Sequence, residues 1–449
     1  MSDSIYTTTA SYRNIFAEHG LQYVKRDIWL EVGRRTVTSG WQVFISVIKA
    51  QTVRLLRELL PVLVNLKVPF RVVCEPMMHH YLNMGRYGRD YIGRVFTLYP
   101  ATEQQLATLI TILKPLLLQY KGPRVERTHC LGPSLYTAFF KVVRRKNGHK
   151  LWQLDKGRKL PVFSASEEIE FSPRTRWVIG GYYVRIKTLK NSPKGSIYKA
   201  ISLKGFRFER CIIKQGRLNM VDDYAGRTIR DRLLWQKKVL TDLHKILPVP
   251  MVLDFVDENG DCYLVMEFME GVPLDKWVEK IYQQSVWNGL SVSAKLRILT
   301  YYMRALFIIE KIHENGYVHR DIKHGNFTVA ADESPVLLDF ELAWSSKDRQ
   351  PEPTFVAMDV GYKPPEQLNN AIPTIKEDIY ACGGLLLYLL TSVHPGLFST
   401  VTVSILKEKG IEKDLINIIL NCRNEQSTLR PSISEVIGCI KAFLQSHQK

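Results

Sequence analysis

The stretch His319-Arg320-Asp321-Ile322-Lys323-His324-Gly325-Asn326, followed thirteen residues later by Asp339-Phe340-Glu341, decides how this chain is read. Asp321 stands where a group is needed to accept or orient a hydroxyl proton. Asn326, five residues on, and Asp339 are hard oxygen donors of the kind that hold Mg²⁺ against nucleotide phosphates. Lys323 brings a positive charge that can neutralise a transferring phosphoryl group. Apolar blocks of strand character, Phe327-Thr328-Val329 and Val336-Leu337-Leu338, flank the acidic positions. The pattern predicts a phosphoryl-transfer site.

Further signals lie on both sides, in a fixed order. Trp177–Val184 and Tyr198–Ser202 read as strands around Asn191-Ser192-Pro193-Lys194-Gly195-Ser196. Cys211-Ile212-Ile213-Lys214 is an apolar strand ending in a lysine, and 229–243 reads as a helix carrying Gln236. Tyr263-Leu264-Val265-Met266-Glu267-Phe268-Met269-Glu270-Gly271 is an apolar strand running into a short polar connection. Gly361-Tyr362-Lys363-Pro364-Pro365-Glu366, Asp378-Ile379-Tyr380-Ala381-Cys382-Gly383 and Arg430-Pro431 follow. Together these segments resemble the protein-kinase fold over residues 175–449.

That resemblance implies roles. Lys214 would hold nucleotide phosphates, Gly195 would lie in the loop covering them, and the backbone of Glu267 and Met269 would meet the base of ATP or GTP. Glu366 and Arg430 would form a buried ion pair, and Asp378 would brace the loop that carries Asp321. The expected glutamate partner of Lys214 falls on Gln236, which brings no charge, so Asp222, Asp223 and Asp231 are the alternatives. The loop has one glycine where the family has three.

The chain has 449 residues, enough for two domains, with 45% apolar and 24% charged residues. Its seven cysteines carry no C-x-x-C spacing, which argues against a disulfide frame or a zinc site and for a cytoplasmic protein. No basic-then-apolar signal opens the chain, and the apolar run Ala381–Val393 is too short to span a bilayer. The net charge is +18, and residues 1–170 hold 25 Lys/Arg against 13 Asp/Glu. This basicity suits an acidic or phosphorylated partner. No aromatic-basic recognition motif supports DNA binding.

Residues 1–150 alternate strand-like and helix-like segments and predict an α+β domain. Trp41–Val47 and Arg94–Tyr99 read as strands, and 52–66 as a helix that Pro61 kinks or splits. Thr102–Tyr120 reads as a helix with Thr102 and Gln105 as a capping pair. Residues 151–174 read as a linker, preceded by a basic turn at Arg144-Arg145-Lys146-Asn147-Gly148; 175–270 and 271–449 read as the two lobes of the kinase-like fold.

Asp339-Phe340-Glu341, with Glu where kinases carry Gly, narrows the resemblance to the kinase part of class III lanthipeptide synthetases. The segments Gly40–Ser46, Pro69-Phe70-Arg71, Gly93–Pro100 and Gly122-Pro123-Arg124 resemble the phosphoserine/phosphothreonine lyase domain that precedes it. In that family the kinase phosphorylates Ser/Thr of a precursor peptide, the lyase eliminates phosphate, and a third domain cyclises; ending at Lys449, the chain is expected to lack the third. The lyase positions have changed. A Lys-x-His pair is replaced by Gln42 and Phe44, and two lysines by Arg71 and Arg94. Phenylalanine transfers no proton, and arginine keeps charge but is a poor acid or base.

The expectation is therefore an α+β chain: a degenerate phosphothreonine-lyase-like domain for substrate recognition, then a bilobal Ser/Thr kinase using ATP (or GTP) and Mg²⁺ on a peptide or protein. A separate lyase or cyclase enters as a candidate partner. The rivals are a full dehydratase, with His79, His80 or Lys67 replacing the lost groups, a catalytically weak pseudokinase scaffold, and a small-molecule kinase.

Overall fold

The computed structural model describes residues 12–35, 39–144, 150–155, 158–161, 169, 177–206, 208–356 and 359–447. The basic turn 144–148 and the linker 151–174 lie largely outside the described residues. The chain divides into two compact units. The first takes in 1–231 and 255–264, the second 232–254 and 265–449. This division differs from the expected boundaries, because the first unit joins the N-terminal α+β region to the small sheet that follows it.

In the first unit an antiparallel sheet is built from β1 (Val24–Arg26), β2 (Trp29–Val32), β3 (Ser39–Ile45), β4 (Phe70–Val73), β5 (Phe96–Leu98), β6 (His129–Cys130), β7 (Leu135–Arg144) and β8 (Lys150–Leu154). Its order is β1-β2-β4-β5-β3-β7-β6, with β8 paired to β7. Helices α1 (Tyr12–Glu18), α2 (Lys49–Asn65), α3 (Pro76–Asn83) and α4 (Glu103–Leu117) accompany it. Leu55, Leu56, Leu59, Leu60 and Leu63 of α2 join Leu106, Leu109, Ile110, Leu113 and Leu117 of α4 in one core with Val43, Phe70 and Phe96. Helix α2 runs unbroken through Pro61, because that residue is on its exposed face and the buried leucines outweigh the missing hydrogen bond. Thr102 caps α4 by accepting the Gln105 amide at 3.1 Å.

A second sheet runs β13-β14-β12-β11-β10-β9. Its strands are β9 (Val178–Ile179), β10 (Tyr183–Ser192), β11 (Gly195–Ser202), β12 (Glu209–Gly216), β13 (Val252–Glu258) and β14 (Asp261–Glu267), the last two continuing into the second unit. Strand β10 is longer than its sequence suggests, since two register shifts, at Arg185/Lys187 and Thr188/Lys190, break its alternation. Three bonds tie this sheet and its loops to the N-terminal region. The Lys49 amide, at the start of α2, donates to Asp222 at 2.6 Å. Asn219 donates to the Gly122 carbonyl at 3.0 Å, and Arg124 to the Asn259 carbonyl at 2.5 Å. Gly122 is obligatory, because a Cβ there would lie 2.3 Å from the Ser46 carbonyl carbon.

The second unit is mostly helical. It holds most of α5 (Ile229–Leu243), then α6 (Leu274–Tyr282), α7 (Val292–Glu314), α8 (Pro365–Leu368), α9 (Ile375–Thr391), α10 (Val403–Glu408), α11 (Lys413–Cys422) and α12 (Ile433–Ser446). Two small sheets flank the segment 319–326: β15 (Val272–Pro273) with β17 (Phe327–Val329) and β18 (Pro335–Leu337), and β16 (Tyr317–Val318) with β19 (Trp344–Ser345). Among the described residues no helix is long and apolar enough to cross a membrane.

Candidate active site

The segment 319–326 leaves β16 as an extended loop and turns into β17 through a single 3₁₀ turn at His324–Asn326. Three of the predicted residues meet directly. Asn326 Nδ2 donates to the Asp321 carbonyl at 2.8 Å and to its carboxylate at 2.9 Å. Lys323 Nζ stands 3.1 Å from Asp321 and 2.9 Å from Asp359. The hairpin β17–β18 brings the acidic segment alongside: the Leu338 amide donates to the Asn326 carbonyl at 3.0 Å, which puts Asp339 next to the loop. Phe340 is fully buried and meets His319 edge to face, centroids 4.7 Å apart.

The loop is braced from α9. Asp378, wholly buried, accepts the backbone amides of His319 and Arg320, each at 2.7 Å, and His313 Nε2 at 2.9 Å. Arg320 sits at φ 65°, a left-handed conformation costly for a residue with a Cβ. Its carbonyl accepts Gln367 Nε2 at 2.8 Å, so both sides of the strained residue are held. Arg430 forms a two-pronged ion pair with Glu366 and also donates to the Asn424 and Lys376 carbonyls at 2.7 and 2.8 Å.

Burial alone would raise the Asp321 pKa, but Lys323, Lys363 and the Asn326 hydrogen bond outweigh it and hold the carboxyl below its ordinary value. Asp321 is therefore an ionised hydrogen-bond acceptor at neutral pH, suited to orienting a hydroxyl. Burial works to lower the Lys323 pKa, but Asp321 and Asp359 raise it overall and keep the ammonium charged. Asn326 and Asp339 are the oxygen donors that the sequence predicts for the metal. Among the described residues no group of three His, Cys, Asp or Glu side chains is arranged to hold a metal. Mg²⁺, which the sequence predicts at Asn326 and Asp339, keeps several waters and takes phosphate oxygens.

Lys214 and Gly195 belong to the first unit. Lys214 lies two residues before the end of β12, 7% exposed, opposite Ile197 of β11. Gly195 pairs with Ser192 across a two-residue turn at Pro193-Lys194, and a Cβ on it would lie 1.8 Å from the Gln215 carbonyl oxygen. Close strand packing thus requires this glycine in the hairpin. Gln236, buried on α5 in the second unit, donates to the Leu338 carbonyl at 3.5 Å. Its acidic alternatives are spent elsewhere: Asp222 on the Lys49 amide, Asp223 on Arg227, Asp231 on the Thr228 amide. The Glu267 amide is committed to the Met251 carbonyl at 2.8 Å, so a base edge would find the Glu267 carbonyl and the Met269 amide instead.

In the N-terminal region Gln42, Arg71 and Arg94 line one cleft of about 500 Å³, together with Arg35, Arg127 and Asp90. Phe44 lies beneath it, its ring under the Arg94 guanidinium at 4.5 Å. Arg35 stacks on Tyr99 at 3.7 Å and Arg71 on Trp29 at 4.2 Å. Burial pushes the Arg94 guanidinium down to about 10, still charged at neutral pH. His79, His80 and Lys67 do not line this cleft. His79 is sealed in the core between Tyr12, Thr52, Asn83 and the Val47 carbonyl, and burial pushes it down to about 3. The replacement for the lost proton-transfer groups that the rival dehydratase reading requires is thus absent from the described cleft. Arg35, Arg127 and Lys363 were not singled out by the sequence for these sites; for Lys363 the only signal was its place in Gly361–Glu366.

Residues 234–447 match the protein kinase domain model, and residues 11–158 match the RamC, N-terminal domain. Residues 159–233, with Lys214 and the small sheet's first four strands, fall between the two. The chain is 30% identical over 221 residues to serine/threonine-protein kinase PknA of Nostoc sp., covering 47% of this chain and 37% of that one. It is 27% identical over 229 residues to serine/threonine-protein kinase B of Synechocystis sp. (48% and 38%), and 29% identical over 238 residues to serine/threonine-protein kinase F of the same organism (49% and 46%). The chain therefore spans less than half the length of these relatives. The domain and the relatives support a Ser/Thr protein kinase.

Proposed function

We propose that the chain phosphorylates Ser/Thr of a peptide or protein with ATP and Mg²⁺, as the kinase part of a class III lanthipeptide synthetase does. The N-terminal domain would recognise the substrate without eliminating phosphate. The observation that carries this reading is the Asp321–Lys323–Asn326 cluster, clamped from behind by Asp378 and set beside Asp339. Asp321 orients the acceptor hydroxyl for in-line attack, and Lys323 offsets charge on the moving phosphoryl group. Asn326 and Asp339 would hold Mg²⁺, which neutralises phosphate charge when bound. Lys214 takes nucleotide phosphates. Protein kinases in general use ATP with Mg²⁺, and nothing in the comparisons favours GTP.

The RamC, N-terminal domain match ahead of the kinase domain supports the synthetase-like arrangement. The cleft with four arginines and one aspartate favours recognition over elimination: it keeps anion affinity, and among the described residues no histidine or lysine lines it to take a Cα proton. Any elimination would then belong to a separate lyase. Mass spectrometry of a Ser/Thr-peptide library incubated with the chain and Mg-ATP tests this. Products heavier by one phosphoryl group are expected; products lighter by one water would make the chain a dehydratase.

A further inference from the structure

Lys363 lies in the segment leading to α8, followed by Pro364 and Pro365. Its side chain is 3% exposed, yet its Nζ makes no hydrogen bond among the described residues. Its Nζ stands 3.8 Å from the Asp321 carboxylate. The two lysines at this carboxylate are unequally answered. Lys323 is shared between two carboxylates at hydrogen-bond distance, Asp321 and Asp359. Lys363 holds up to three donor protons in a buried place with no acceptor at hydrogen-bond distance among the described residues, an arrangement that is costly unless something else supplies one.

We propose that Lys363 is a second cation of the transfer site, its ammonium taking an oxygen of the phosphoryl group as that group reaches the acceptor hydroxyl beside Asp321. This rests on the kinase reading above. In the step, the acceptor oxygen forms a bond to phosphorus as the bond from phosphorus to the nucleoside diphosphate oxygen breaks. The hydroxyl proton passes to Asp321 or to water, and the diphosphate leaves with the bonding electrons. Lys363 gains and loses no proton; it supplies charge where negative charge has to be accommodated. The anion is identified by position, because Lys363 stands on the carboxylate that orients the acceptor.

The groups that set the Lys363 charge are its burial, which pushes it down to about 8, then Asp321, Arg320, Lys323 and Asp359. A contribution from its ammonium is therefore complete below about pH 7 and fades as pH rises through 8. Arginine at this position would stay charged throughout.

The test compares Lys363→Met and Lys363→Arg with wild type and Asp321→Asn, using Mg-ATP with casein and a Ser/Thr-peptide library as acceptors. For Lys363→Met the expected result is a 10- to 1000-fold fall in kcat, with KM for ATP within about twofold. Its melting temperature should be unchanged or higher, because a buried ammonium has been removed. Lys363→Arg should recover part of kcat and lose the alkaline fall near pH 8 that wild type shows. A Lys363→Met kcat within threefold of wild type, or a kcat loss that tracks a loss of melting temperature, overturns the inference and leaves the kinase reading intact. Wild type without transfer, or Asp321→Asn with wild-type transfer, overturns the kinase reading itself.

Discussion

Replacing Asp378 with Asn is the most informative perturbation of the frame that holds Asp321. The carboxylate accepts three hydrogen bonds, two of them from consecutive backbone amides at 2.7 Å, with no exposure to water. Asparagine preserves shape but turns one acceptor oxygen into a donor, so the His319 or the Arg320 amide must lose its partner whichever way the amide faces. A hydrogen bond to a charged group contributes about 1.5–3 kcal/mol, and leaving its buried N–H unmet adds roughly 1–3 kcal/mol. The left-handed Arg320 stores about 1–2 kcal/mol that the lost bond no longer opposes. Because the lost bond and the unmet N–H are overlapping terms, local stability of the loop should fall by the lower part of their sum, roughly 3–5 kcal/mol. Amide hydrogen exchange of a peptide spanning 317–322 reads this directly, because about 1.4 kcal/mol is tenfold. Exchange at His319 and Arg320 should quicken by roughly two to four orders of magnitude, and kcat should fall with it. Exchange within threefold of wild type would refute the idea that Asp378 fixes the loop.

Two further outcomes follow. The His79 pKa falls from its ordinary value to about 3 through burial, with Lys49 adding repulsion. Its neutral form therefore stabilises the fold fully above about pH 6.5, and that contribution, a few kcal/mol, is lost as pH falls towards 3. The melting temperature should drop between pH 6.5 and 4.5, and His79→Gln should flatten that slope; parallel slopes would contradict it. In the N-terminal cleft, Arg71→Met or Arg94→Met should weaken binding of a phosphoserine peptide by about 10- to 100-fold, the worth of a charge-assisted hydrogen bond. Fluorescence anisotropy measures this, and equal wild-type affinity for the unphosphorylated peptide would remove phosphate recognition from the cleft.

Much of the second unit is legible in sequence because its chemistry is local. Asp321, Lys323 and Asn326 lie within six residues, so their contacts follow from one tight loop. The Glu366–Arg430 pair and the Asp378 brace span longer distances and became readable only through resemblance, where order and spacing stand in for geometry. Lys363 escaped for the opposite reason: it is 42 residues from Asp321 in sequence, and nothing in Gly361–Glu366 says that its side chain turns inward. The arginine cleft was half readable. Arg71 and Arg94 were marked by family position, whereas Arg35 and Arg127 enter through the order in which the sheet brings its strands and loops together. The proton-relay role offered to His79 failed because an apolar helix pattern does not reveal that a histidine on it is enclosed by Tyr12, Thr52 and Asn83. Strand β10 outran its expected end, since register shifts scramble the alternation by which strands are recognised.

Phosphotransfer by wild type and Asp321→Asn, followed with γ-labelled ATP and Mg²⁺ on the same Ser/Thr-peptide library, bears most directly on the kinase reading. Label should pass to Ser/Thr of the peptide with wild type, and fall by at least a hundredfold in Asp321→Asn while the variant still binds nucleotide and melts as wild type does. Equal transfer by the two proteins, or none by wild type, would contradict it.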